Sequence, residues 1–152
     1  MINKNLPAIN REEILKLLPH RDPMLLIDNL YNIVEMKSCL GHLKLNNDKF
    51  FLNGHFPNQP VMPGVLIVES FGQAAAALAA HSLDSDVTKN KLVYLMSIQN
   101  ARFRKPVIPP ADLYLECTVD KIKGKVWRYK GTAFCNDEKM ADAEWMATIV
   151  DR

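Results

Sequence analysis

Three residues inside one stretch of 17 residues, Asn53 to Glu69, have types and spacing that could do acid–base chemistry together. Glu69 lies about two turns into Val61–Ala80, a run whose apolar residues cover nearly every helical face. A carboxylate enclosed there must find a partner or hold a proton, because an unpaired buried charge is costly. Two readings follow: a structural carboxyl satisfied by Gln73 one turn later on the same face, or a general acid whose pKa is raised by burial. His55 precedes the run in a loop, where a histidine is ordinarily a polar surface group. Gly54 on one side and Phe56-Pro57 on the other constrain its backbone, and a free imidazole titrates near ~6.5, so it could serve as a base at neutral pH. Gly64 stands at the start of the run, where backbone N–H groups have no helical partner. Those donors, together with the helix dipole, favour developing negative charge, and glycine lets a carbonyl approach closely.

The elements that must hold these residues are legible in outline. Asn10 to Leu18 reads as a short helix with Asn10 as cap, Glu13 at the capping-box position and Pro19 as its stop. Leu25–Lys37 and Cys39–Leu45 read as strands, and Asn46–Pro60 as a loop rich in Asn, Pro and Gly. A long helix from about Pro63 to Ser82 follows, with Pro63 in its first turn, and its all-round apolarity predicts enclosure. Beyond a break at Ser85–Asn90 the period changes to two. Leu92–Phe103 reads as a strand, Leu113, Leu115, Cys117 and Val119 alternate with polar neighbours, and so do Trp127 and Tyr129, and Ala143, Trp145, Ala147 and Ile149. Lys123-Gly124-Lys125 and Asn136-Asp137-Glu138-Lys139 read as hairpin turns.

The whole chain bounds these readings. Its 152 residues fit one domain, 1–152, with a core that needs no staples. Three cysteines at wide spacing and four scattered histidines offer neither a disulfide framework nor a metal-ligand pattern. With an N-terminus lacking an apolar leader, this points to a reducing cytoplasm. A net charge of +2 does not suggest general nucleic-acid binding. Arg102, Arg104 and Lys105 cluster locally, as do Lys121, Lys123, Lys125, Arg128 and Lys130. These are solvated strand faces, or a dock for an acidic or phosphate-bearing partner. The apolar run is about long enough to span a bilayer, but Pro63, Glu69 and Gln73 within it favour a helix buried in protein. An antiparallel sheet wrapped around one long apolar helix satisfies both elements. This is an α+β arrangement, the hot-dog fold.

His55-Phe56-Pro57-Asn58-Gln59-Pro60-Val61-Met62-Pro63-Gly64-Val65-Leu66-Ile67-Val68-Glu69 closely resembles the hallmark of the (3R)-hydroxyacyl–acyl carrier protein dehydratases of bacterial type II fatty-acid synthesis, H-F-P-x-x-P-V-M-P-G-V-L-x-x-E. The resemblance extends to Leu17-Leu18-Pro19-His20-Arg21, Leu25-Leu26-Ile27-Asp28 and Ala101–Val107. It implies His55 and Glu69 as the catalytic pair and the Gly64 amide as the donor to the thioester carbonyl. It also implies Gln73 as an orienting group for the glutamate or its water, and Phe56, Tyr94 and Pro106 as contacts of the acyl chain. No metal or organic cofactor is implied. The implied partner is acyl carrier protein, met by Arg102, Arg104 and Lys105. The implied assembly is a homodimer, three to a hexamer, with His55 and Glu69 of each site from different subunits. Asp22, Gly72 and Pro110-Ala111-Asp112 depart from the usual pattern, at positions read as surface, helix and turn. The related dehydratase–isomerases usually carry aspartate where Glu69 stands, and hot-dog thioesterases lack this His-to-Glu segment. A non-catalytic acyl-chain sensor would have no need for all three of His55, Gly64 and Glu69.

Overall fold

The computed structural model describes residues 1–83 and 89–152; Ser85–Thr88 of the expected break after the long helix lie outside the described residues. The elements run α1 (Arg11–Leu17), β1 (Asn29–Val34), β2 (Ser38–Leu45), α2 (Gly64–Ser82), β3 (Lys91–Phe103), β4 (Ala111–Lys123), β5 (Val126–Cys135) and β6 (Glu138–Asp151). The strands make one antiparallel sheet in the order β1-β2-β4-β5-β6-β3. The chain leaves the sheet at β2, crosses it as α2 and rejoins it at the opposite edge as β3; β4, β5 and β6 then fill the gap. Helix α2 therefore packs against every strand.

Local chemistry explains the boundaries. Asn10 caps α1 with the full capping box, its side chain accepting from Glu13 N while Glu13 accepts from Asn10 N. Asn136 and Asp137 both have positive φ, 50° and 62°, as a two-residue type I′ hairpin requires, so Glu138 and Lys139 belong to β6 and not to the turn. Alternation holds along β4 and β6: Leu113, Leu115 and Cys117 point into the core, as do Ala143, Trp145 and Ala147. At Gly41 a β-carbon would sit 2.9 Å from Ala74 Cβ, so this glycine is what lets β2 approach α2 so closely. A run of stacked rings, Trp127–Tyr129–Trp145–Phe71, joins the sheet to α2 with centroid separations of 6.0, 5.5 and 5.3 Å.

Three expectations change. The stretch from Leu25 does not start as a strand. Leu25 O and Ile27 O accept from Arg11, Leu26 N donates to Gln73 and Leu25 N to Arg21 O, so pairing with β2 begins only where Asp28 N donates to His42 O. Pro63 is the residue before α2 rather than part of its first turn, because its ψ of 134° is extended. Nor is α2 enclosed on every face. Val65 is 74% exposed, and Glu69 and Gly72 are only partly covered, which leaves an open stripe beside β3. β3 is an edge strand, so Tyr94, Leu95, Met96, Ile98 and Phe103 all stay exposed. Helix α2 has the length and apolarity of a membrane span, yet 61% of that window is buried within the chain's own sheet.

Candidate active site

The loop before α2 fixes His55 from both sides. Val61 N donates to His55 O at 2.8 Å, and Phe56 and Gln59 exchange backbone bonds at 2.9 Å, closing the loop on itself. The His55–Phe56 peptide bond is cis, and the Phe56 ring stacks on the imidazole at 4.0 Å. His55 Nδ1 lies 2.7 Å from Val61 O. A carbonyl can only accept, so Nδ1 carries the proton and Nε2 is left with its lone pair. The tautomer of the neutral imidazole is thus set by a backbone atom.

His55 lines a cavity of about 390 Å³ together with Gly64, Val65, Phe103, Arg104 and Pro106. The Gly64 and Val65 N–H groups find no protein acceptor among the described residues and are the free donors of the α2 terminus. A β-carbon at Gly64 would fall 2.8 to 3.0 Å from the Phe103 ring, so glycine is needed there for Phe103 to close over the helix start.

Glu69 lies on the open stripe of α2, 33% exposed, so the expectation of a fully buried carboxylate is corrected. Its neighbours are ordered. Gln73 is 1% exposed; Leu26 N donates to its Oε1 at 2.8 Å, and its Nε2 donates to Met24 O at 2.7 Å and to Glu69 Oε1 at 3.0 Å. His20 Nε2 stands 3.7 Å from the same oxygen. One carboxylate oxygen is therefore occupied, and Oε2 has no hydrogen-bond partner among the described residues. Glu69 lines a second cavity, about 80 Å³, with His20, Gly72, Gln73 and Trp145. Within one chain, then, His55 and Glu69 face different cavities.

The remaining expected residues divide. Pro106 lines the His55 cavity, Phe56 covers the imidazole, and Tyr94 stands exposed on β3, lining neither cavity. Of the basic cluster, Arg104 Nε donates to Asp142 at 2.7 Å and Lys105 pairs with Glu138, so β6 already holds two of the three cations. Arg102 has no ion-pair partner among the described residues. Asp112 does not sit in a turn but opens β4, where His42 Nε2 approaches its Oδ1 at 2.8 Å. Among the described residues no three His, Cys, Asp or Glu groups converge as a metal site.

Sequence reasoning assigned no role to His20, Val61 or Phe103. His20 lies in the Leu17–Arg21 stretch that carries part of the resemblance, but its proximity to Glu69 leaves no local signal. Val61 acts through its carbonyl and Phe103 through a contact across the fold; neither leaves a local signal.

The FabA-like domain family matches residues 18–144. The chain is 48% identical over 139 residues, 91% of its length and 89% of the relative's, to the 3-hydroxyacyl-(acyl-carrier-protein) dehydratase FabZ of Anaeromyxobacter dehalogenans. It is 46% identical over 140 residues, 92% and 91% of the two lengths, to the protein of the same name from Myxococcus xanthus. In structure it is similar to the dehydratase heterocomplex ApeI:P of Xenorhabdus doucetiae, with a TM-score of 0.79 at 15% identity over 91% of each chain. It is also similar to a hot-dog-like protein of Thermanaerovibrio acidaminovorans, with a TM-score of 0.61 at 15% identity over 75% and 81% of the two chains. The fold is the hot-dog expected from the sequence pattern.

Proposed function

The chain belongs to the FabA-like domain family, and from that premise we propose that it dehydrates 3-hydroxyacyl thioesters carried on acyl carrier protein to trans-2-enoyl thioesters in fatty-acid synthesis. His55 Nε2 takes a proton from C2. The Gly64 N–H donates to the thioester oxygen as negative charge develops there, a contribution of about 3–4 kcal/mol for such a donor. Glu69, protonated on Oε2, gives that proton to the hydroxyl at C3, which leaves as water while the C2 electron pair forms the double bond. The observation that carries this reading is the commitment of His55 Nδ1 to Val61 O, which leaves Nε2 as a base beside the free donors of α2.

In this reading the site is completed by two copies of the chain, His55 from one and Glu69 from the other. Their separation into two cavities of one chain supports it, as does the exposed apolar edge strand β3 that a second copy would cover. Three such dimers form a hexamer acting in the cytoplasm. Arg102 leads the carrier-protein contact, seconded by Arg104 and Lys105.

A complementation assay tests the pair. His55→Ala and Glu69→Ala proteins, each inactive alone on 3-hydroxyacyl carrier substrate, recover activity when co-expressed, because a mixed dimer contains one site with both residues. Mass spectrometry follows the loss of one water; release of free acid instead would mark a thioesterase. Failure of the mixed protein to turn over, with wild type active, refutes the shared site.

A further inference from the structure

Behind Glu69 the 80 Å³ cavity has a neighbour of about 30 Å³, also lined by β3. The two share His20, Ala76 and Val93 in their walls, so these three side chains stand between them. The first carries the polar groups Glu69 and Gln73. The second is walled by Leu17, Ala79, Ala80, Leu83 and Ile149, and Lys91 is the one Lys, Arg, Asp or Glu among the described residues that line it. Past Gln73, the α2 residues that border the two cavities are all small, Ala76, Ala79 and Ala80.

We propose that His20 selects acyl-chain length, its imidazole acting as the partition that a long alkyl chain must pass and a short one never reaches. The proposal rests on the dehydratase reading above, which puts C3 of the substrate beside Glu69. Along α2, Ala76 lies roughly 10 Å and Ala80 roughly 16 Å beyond Glu69 at 1.5 Å rise per residue. An extended chain advances roughly 1.2 Å per bond. About eight bonds past C3 therefore reach His20 and Ala76, and about thirteen reach Ala80. A 6-carbon acyl group ends in the first cavity, and a 16-carbon group is long enough to pass His20 and reach the second.

The imidazole suits this place. Its Nδ1 is buried without a partner among the described residues, and burial is the largest influence lowering its pKa, opposed by Glu69 and reinforced by Arg21. A neutral ring can border an alkyl chain at little cost, and one ring is small enough to be displaced by rotation.

The test measures kcat/KM for 16-carbon and 6-carbon 3-hydroxyacyl carrier substrates and reads their ratio. His20→Ala raises the ratio about tenfold, His20→Trp lowers it about tenfold, and Ala80→Leu also lowers it, a scale set by hydrophobic-pocket discrimination. A merely positional role toward Glu69 would change both substrates equally and leave the ratio fixed. Wild-type protein that dehydrates both substrates, with the ratio fixed in His20→Ala and His20→Trp, overturns the role of His20 alone. Wild-type protein that dehydrates neither overturns the dehydratase reading and this proposal with it.

Discussion

Replacing Gln73 by leucine removes three hydrogen bonds from the interior at once: those joining it to Leu26 N, Met24 O and Glu69 Oε1. The three losses are unequal. Leu26 is 1% exposed, so its N–H is left without water or partner, at a cost of about 1–3 kcal/mol. Met24 is exposed and Glu69 partly so, and water can replace what Gln73 gave them. The sum is about 2–3 kcal/mol, which for a chain of this size lowers the thermal midpoint by about 5–10 °C. Glu69→Ala is the paired control. It removes one bond to a solvent-reachable oxygen and spares the two that tie α2 to the Met24–Leu26 segment, so its stability cost stays under about 1 kcal/mol. The two variants thus separate. Glu69→Ala abolishes turnover with near-native stability, whereas Gln73→Leu loses about tenfold in kcat, the scale of one hydrogen bond, and melts early. Calorimetry or circular dichroism at matched protein concentration reads the first quantity, since association raises the midpoint by mass action, and the dehydration assay reads the second. A Gln73→Leu midpoint within about 2 °C of wild type would refute the reasoning that an orphaned Leu26 N–H dominates.

Other outcomes follow from the same geometry. Gly64→Ala thrusts a β-carbon at the Phe103 ring and lowers kcat; adding Phe103→Ala restores part of the loss, and a double variant no better than the single one refutes the contact as the cause. Gly131→Ala places a β-carbon 2.8 Å from both Phe71 and Trp145, and urea unfolding should show a cost of about 1–3 kcal/mol. His20 titrates below its ordinary 6.5 in the folded chain, chiefly through burial, so the unfolded state binds the extra proton between the two values. Stability is therefore lost as pH falls from 6.5 through the folded value, and thermal scans between pH 7 and 5 should fall more steeply for wild type than for His20→Gln. Arg102→Glu raises KM for carrier-bound substrate more than Lys105→Glu does, because Lys105 is already paired with Glu138; equal loss on small thioester analogues would argue against a docking role.

Much of this molecule is written locally. The capping box at Asn10 and Glu13, the period of two in β4 and β6, and the apolar run that becomes α2 each depend on neighbours a few residues away. So does the strongest functional signal, His55 to Glu69, whose parts are close in sequence because a loop and the start of one helix carry them. What the sequence could not supply depends on position across the fold. Glu69 read as a buried carboxylate because α2 is apolar nearly all round. Only the sheet order, with β3 at an edge, shows that the stripe through Val65, Glu69 and Gly72 is left open. Leu25–Ile27 has the composition of a strand, yet Arg11 and Gln73 satisfy its backbone from 14 or more residues away in the chain. The tautomer of His55 is decided by the Val61 carbonyl, and the partition behind Glu69 by His20, 49 positions earlier in the sequence. Residue types determined that acid, base and donor were present. The tertiary structure decided which atom of each is free to react, because that depends on which hydrogen bonds the folded chain has already used.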